Sequence, residues 1–322
     1  MTTKRLEIAS SAEPGATLSL REATAVGRPG HAGRALLFVH GATYPGVMFD
    51  VPGASWMARA VADGYDAYTL DVRGYGGSSR PDCMAEAPEA GEPFCRAEDA
   101  AVDIADAIAA IRRRAGVSVV DVVAWSWGTM TTACHIANGD AAVRRLVLFA
   151  PVYGTKNPAW IDGLSEPGQP NRLRPPGAYR TETQAQADAR WAAQITAARA
   201  DAWRDPAILA AWFEAMLADE PGSAVRAPNG VLLDLWSAFN GRPRYDAARI
   251  QVPTLVIRGG ADTTATRADA LALLDALGAR DKAYVEIAHA SHFALLEHRR
   301  HALFDQVSAF LRSNGAGGAN GG

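Results

Sequence analysis

Residues 119–137 read VVDVVAWSWGTMTTACHIA, and the order of side chains in this stretch decides the fold. Val119, Val120, Val122 and Val123 form a β-branched run that predicts a buried parallel strand. The run stops at Ala124-Trp125-Ser126-Trp127-Gly128. A helical pattern follows, with Met130, Cys134 and Ile136 among small residues. A strand, a serine with small residues two positions away on either side, and then a helix make the layout of a nucleophile elbow, with Ala124 at the first glycine position. Small residues are needed where backbone crowds the tight turn that carries the serine. A helix that begins at the serine offers free N–H groups and a dipole that favour developing negative charge.

The surrounding composition is that of an ordinary globular protein, with 48% hydrophobic and 21% charged residues in a chain of 322. That length accommodates one large α/β domain, or one domain with an insertion. A net charge of -3 gives no basic surface for nucleic acid. The densest positive cluster, Arg112-Arg113-Arg114, sits where a helix is expected to end and reads as dipole compensation. The first residues lack the apolar core of a signal peptide, and no apolar run of about 18 residues suggests a membrane span. A cytoplasmic location is therefore expected. In that setting Cys83 and Cys95, which could pair on exposure to oxidant, are read as free thiols, and Cys134 as a packing residue on the helix after the serine. No Cys/His spacing resembles a zinc site, and no cofactor is expected.

Taken in order, residues 5–9 and 17–23 predict an antiparallel hairpin. The continuous apolar run 35–39 predicts a central strand. It ends in HGATYPG (40–46), at the carboxyl end of a strand, where open α/β sheets bind ligands. A short helix over 55–62 and a strand over 68–71 come next. The glycine-rich turn that follows lacks the spacing of a phosphate-binding loop. Residues 98–115 have acids first, arginines last and Gly116 beyond, with Ala101, Ile104, Ile108 and Ile111 as a core stripe. Another strand is expected at 145–150. From about 152 to 249 the βα alternation stops. Residues 158–178, rich in Pro and Gly, read as an irregular crossing, and helices are expected over 182–200, 206–217 and 231–239. The pattern resumes with strands at 254–257 and 284–287 and helices at 267–277 and 297–311. The chain divides into 1–151 and 251–312 as core, 152–250 as a helical cap, and 313–322 as a tail too poor in apolar residues to order itself.

A serine is a poor nucleophile without a base, and the base needs a third group to orient it. Asp262 follows the penultimate expected strand and His292 the last. His289 competes for the base role, but His292 leads directly into the closing helix. The order Ser126, Asp262, His292 is that of α/β-hydrolases.

On these residues the sequence resembles the α/β-hydrolase superfamily, and within it the capped esterases, C–C bond hydrolases and prolyl aminopeptidases. The motifs stand here as HGAT, DVRGYGGSS, AWSWGT, GGAD and HASHFALLE, spread over about 35–150 and 254–311. The resemblance implies a mostly parallel central sheet flanked by helices, with the cap inserted after the sixth strand. It also implies an oxyanion hole made by the backbone N–H groups of Ala42 and Trp127. Ser126 excludes the dehalogenase and epoxide-hydrolase chemistry of members with Asp at the elbow. The SWGT elbow is similar to that of prolyl aminopeptidases, which usually carry GGPG where this chain has HGATYPG.

The expected activity is hydrolysis of a small or medium carboxylic ester through an acyl-enzyme, with a small molecule as the partner. Amide, thioester, lactone and C–C cleavage are the alternatives on the same residues, and a non-catalytic binding protein is the alternative from another class. An aminopeptidase would need acids in the cap, for which Glu214, Asp219, Glu220 and Asp234 are available, although a solvated helix face accounts for most of them. Tyr44, Trp125, Trp212, Trp236 and Phe293 are the expected walls of an apolar pocket. Nothing in the sequence addresses oligomeric state.

Overall fold

The computed structural model describes residues 1–28, 31–139, 142–197 and 199–313. The tail expected over 313–322 lies, beyond Ser313, outside them. One eight-stranded sheet organises these residues. Its strands are β1 (Thr2–Ala9), β2 (Thr17–Thr24), β3 (Ala35–Val39), β4 (Asp66–Asp71), β5 (Val120–Trp125), β6 (Val143–Phe149), β7 (Thr254–Gly259) and β8 (Lys282–Ile287). They lie in the order β1-β2-β4-β3-β5-β6-β7-β8. β1 and β2 pair antiparallel, as do β2 and β4, and every pairing from β4 to β8 is parallel. Every residue of β3 and β5 is buried, which is why these segments read as unbroken apolar runs instead of alternating ones.

Helices α1 (Trp56–Ala62), α2 (Ala97–Ala115) and α3 (Trp127–Ala137) connect the first strands. The segment between β6 and β7 contributes α4 (Pro158–Leu164), α5 (Gln184–Ala192), α6 (Pro206–Leu217) and α7 (Gly230–Phe239). α8 (Arg267–Ala276) and α9 (Arg300–Arg312) complete the chain. The twofold alternation of strand side chains sorts the core into two clusters. Leu37, Val39, Val122, Ala124, Leu146 and Leu148 pack with Ile104, Ile108 and Ile111 of α2, Met130 of α3 and Leu273 of α8. Leu36, Phe38, Val123, Trp125, Val147 and Phe149 face the other way, toward Met57 of α1 and Leu303, Phe304 and Val307 of α9. Trp191, Trp212, Phe213 and Met216, from the segment between β6 and β7, join this second cluster.

The elements of the sheet and its flanking helices follow the sequence closely, and in the segment between β6 and β7 α6 and α7 do so while the part before α6 does not. The crossing expected to be irregular contains α4, whose start is set by Pro158 at its first position and by Asn157, which accepts from the Trp160 N–H. A small antiparallel ladder of Ser165–Glu166 and Gln169–Leu173 follows it. The helix expected over 182–200 is present but shorter, as α5 (Gln184–Ala192). Tyr179–Thr183 is a strand paired antiparallel with Ala224–Pro228. Thr183 then caps α5 with a reciprocal Thr183–Gln186 capping box, so the helix cannot extend further toward its N-terminus. α9 begins at Arg300 instead of residue 297, because the Glu297 side chain is turned inward onto Ser291 and Trp191.

One carboxylate ties the segment between β6 and β7 to α2 and α3. Asp234 of α7 is fully buried. It accepts from Arg96 Nε and Nη2 at 3.0 and 2.9 Å, from the Ala97 N–H at 2.7 Å and from the Trp127 indole at 3.2 Å. Burial raises its pKa, against the lowering effect of Arg96 and its other donors. We predict that Asp234→Ala costs roughly 2–4 kcal/mol in urea unfolding, since it leaves buried donors unpaired while Arg96 keeps partial access to water.

Candidate active site

The chain turns from β5 into α3 at Ser126, whose backbone is in the left-handed region at φ 56°, ψ -125°. Its N–H donates to the Phe149 carbonyl of β6 at 2.9 Å, which anchors the turn to the neighbouring strand. The small residues at positions 124 and 128 answer to crowding. A methyl group on Gly128 would stand 2.4 Å from the His40 carbonyl oxygen, and one on Gly41 would stand 2.8 Å from the Trp125 ring. Ala124 lies in the core with no exposed surface, its methyl accommodated between the sheet and its helices.

Three side chains from distant parts of the chain meet at this turn. His292 Nε2 lies 2.9 Å from Ser126 Oγ, and His292 Nδ1 lies 2.7 Å from Asp262 Oδ2. The second Asp262 oxygen accepts from the Thr264 and Ala265 N–H groups at 2.8 and 2.9 Å. A carboxylate held in this way accepts a hydrogen bond from the Nδ1–H, which keeps the proton on Nδ1 and leaves the Nε2 lone pair for the serine hydroxyl. All three residues are buried. His289, the competing histidine, is exposed and sits near Trp203 with φ 56°.

The loop carrying His292 is held from several sides. The Trp125 indole donates to the His292 carbonyl at 3.0 Å, and the His292 N–H donates to Gln194 Oε1 at 3.1 Å. Behind it, Glu297 accepts from the Ser291 N–H at 2.9 Å, the Ser291 hydroxyl at 2.5 Å and the Trp191 indole at 2.8 Å. Burial raises the pKa of this carboxyl, and the hydrogen bonds from Ser291 and Trp191 oppose the rise.

Across the turn, the N–H groups of Ala42 and Trp127 donate to no described residue. Trp127 is the first residue of α3, where helical geometry leaves the N–H free. The peptide that carries the Ala42 N–H is oriented by His40, whose Nδ1 donates to the Gly41 carbonyl at 2.8 Å. His40 Nε2 accepts from the Val72 N–H at 3.1 Å, so the ring is satisfied as a neutral imidazole. Burial lowers its pKa below the ordinary 6.5.

A cavity of ≈ 220 Å³ opens onto Ser126 and His292. Tyr44, Trp125 and Phe293 line it, as does Ala42. Two of the expected wall residues do not. Trp212 is fully buried behind this layer, its ring 4.7 Å from Tyr44 and 5.8 Å from Phe293. Trp236 is half-buried on α7, and the next residue toward the N-terminus, Leu235, takes the wall position. The stripe of α6 was a packing signal, and periodicity alone does not separate the first layer of a wall from the second. Sequence reading missed Thr43, Trp160, Arg190, Gln194 and Thr264. Trp160 lies in the segment read as irregular, and Arg190 and Gln194 fall in the helix whose bounds differ. The acids considered as amine anchors point elsewhere. Glu214 is exposed, Asp219 pairs with Arg5, Glu220 with Arg80 and Arg226, and Asp234 with Arg96.

Residues 34–299 match the family model of the alpha/beta hydrolase fold. The chain belongs to the α/β-hydrolase family. Solved structures resemble this α/β hydrolase over nearly its whole length. An esterase from Thermogutta terrifontis, solved with malate bound, is 16% identical with a TM-score of 0.64, over 96% of this chain and 98% of that one. The enol-lactonase from Burkholderia xenovorans is 19% identical with a TM-score of 0.64, over 94% and 99%. E-2-(Acetamidomethylene)succinate hydrolase is 19% identical with a TM-score of 0.65, over 97% and 100%. At these identities the likeness is one of fold. No curated protein matches the sequence. Cys83, Cys95 and Cys134 are free. Among the described residues, no helix is long and apolar enough to cross a membrane, and no group of three or more His, Cys, Asp or Glu side chains is placed to hold a metal ion.

Two measurements follow from this geometry. Gly128→Ala forces a methyl onto a backbone oxygen and should destabilise the protein by about 1–3 kcal/mol in urea titration. The stability contributed by keeping His40 neutral is present in full above pH 6.5 and is lost as the pH falls toward its lowered folded value. Wild type should therefore lose stability more steeply than His40→Gln between about pH 7 and 5.

Proposed function

We propose that this α/β hydrolase is a serine hydrolase of small carboxylic esters. The observation that carries the reading is the continuous chain of contacts from Ser126 Oγ through His292 to Asp262, opening onto a cavity. His292 Nε2 takes the hydroxyl proton as Ser126 attacks the ester carbonyl. The Ala42 and Trp127 N–H groups receive the charge that develops on the carbonyl oxygen, and Asp262 stabilises the imidazolium. The imidazolium returns its proton to the departing alcohol, leaving an acyl group on Ser126. Water deprotonated by His292 then releases the acid and restores the serine. The cavity, at ≈ 220 Å³, is below the ~300–1,000 Å³ of sites for drug-sized ligands, and this favours a short substrate.

Residues 152–250 act as a cap in this reading, supplying Trp160, Arg190, Gln194 and Leu235 to the cavity. Hydrolysis of esters is favoured over removal of N-terminal amino acids, because none of the four cap acids reaches the cavity to hold an amine. Ser126→Ala should lower kcat/KM toward p-nitrophenyl acetate by roughly a factor of 10⁶ and abolish labelling by a fluorophosphonate. A loss of tenfold or less, with labelling retained, would overturn the assignment.

A further inference from the structure

The polar groups around the cavity are unbalanced in a way that specifies a ligand. Arg190 is the one permanently charged side chain among the described residues that line the cavity, and the others are apolar or polar. Its Nη2 lies 2.5 Å from the carboxylate of Glu182, which is buried. Arg180, half-buried and next to the lining residues Ala42 and Thr43, adds a second guanidinium. It donates through Nη2 to the Ala42 carbonyl at 2.6 Å and to Thr43 Oγ1 at 2.9 Å, and through Nη1 to the Pro228 carbonyl and Asn229. Two guanidinium groups against one carboxylate leave this wall with a net positive charge.

The neutral groups beside it are turned the same way. Thr43 Oγ1 accepts from both Arg180 and Arg190, and a guanidinium cannot accept in return. The hydroxyl proton of Thr43 is thus left to donate to whatever enters the cavity. Gln194 Oε1 is occupied by the His292 N–H, so the amide of Gln194 presents its NH₂ end. This wall therefore offers a guanidinium, a hydroxyl proton and an amide NH₂, all donors. A ligand group seated against these three donors, beside two guanidinium groups and one carboxylate, is an acceptor carrying negative charge.

We infer that the substrate carries a free carboxylate, anchored by Arg190 with Thr43 and Gln194, while its ester carbonyl lies at Ser126. The substrate class is the monoester of a small dicarboxylic acid. This inference rests on the serine-hydrolase reading and makes it more specific. Arg190 is half-exposed at the mouth, where a charged pair stays accessible to an entering anion.

The test compares the monoethyl esters of succinate, glutarate and adipate with the corresponding ethyl esters in which the free acid is replaced by its uncharged primary amide. The ratio of kcat/KM, acid over amide, should reach about tenfold or more for at least one chain length, the size of a charge-assisted hydrogen bond. In Arg190→Gln that ratio should fall below threefold, mainly through KM. Arg190→Gln with Glu182→Gln removes both charges of the pair, and should give the same low ratio if the single variant folds poorly. A wild-type ratio below threefold at every length, or one that Arg190→Gln leaves unmoved, overturns the inference even if hydrolysis still requires Ser126. Should hydrolysis not require Ser126, the serine-hydrolase reading fails, and calorimetry with glutarate on wild type and Arg190→Gln still decides the subsite. Saturable binding that weakens tenfold or more in the variant upholds it, and no binding overturns it.

Discussion

An L-amino acid held at φ 56° costs of order 1–3 kcal/mol, and it persists at Ser126 only because everything around it leaves the backbone no other course. The incoming strand is hydrogen-bonded into the middle of a parallel sheet. The Ser126 N–H is fixed to β6, and the outgoing helix begins at the next residue. On the far side the carbonyl of His40 presses on the site of the missing Gly128 side chain. These constraints are mutual. The close approach that forbids a side chain at Gly128 also brings the loop after β3, with its free Ala42 N–H, up to the serine. The strained turn and the pair of unpaired amides are one arrangement produced by one close contact.

The histidine side of the site is organised differently. Buried polar bonds from separate segments fix His292. Trp125 donates to its carbonyl from the sheet, and Gln194, in the segment between β6 and β7, accepts from its N–H. Glu297, satisfied by Ser291 and by Trp191, locks the turn that follows. A carboxylate buried without an ion partner is costly unless its oxygens are filled, and here three donors fill them. Two of these supports, Gln194 and the Trp191 indole, come from the segment between β6 and β7. That segment is therefore part of what holds the imidazole in place as well as part of the cavity wall.

The sheet and the serine, aspartate and histidine positions were legible in the sequence because each depends on local or strongly periodic signals. Buried parallel strands read as apolar runs, and Ser126, Asp262 and His292 each follow such a run. The segment between β6 and β7 was less legible. Tyr179–Thr183 and Ala224–Pro228 are short strands paired over some forty residues, and neither has a pattern that stands out without its partner. Arg190 and Gln194 look like surface residues of an ordinary helix until the fold turns them toward the serine. Trp212 and Trp236 show the converse. Their aromatic character was evident, but whether a ring forms the first layer of a wall or the layer behind it is fixed by tertiary packing.

β6 and β7 are parallel neighbours, with Leu146 opposite Thr254 and Phe149 opposite Ile257. The chain leaves at the top of one and must re-enter at the bottom of the other. Residues 150–253 are thus a β–α–β crossover grown to about a hundred residues, its last short turn, Ala247–Arg249, descending beside α3. The entropy of closing such a connection rises only with the logarithm of its length. Its upper part is consequently open to wholesale rewriting over evolutionary time, while Ser126, Asp262 and His292, rooted just past strand ends, stay where they are.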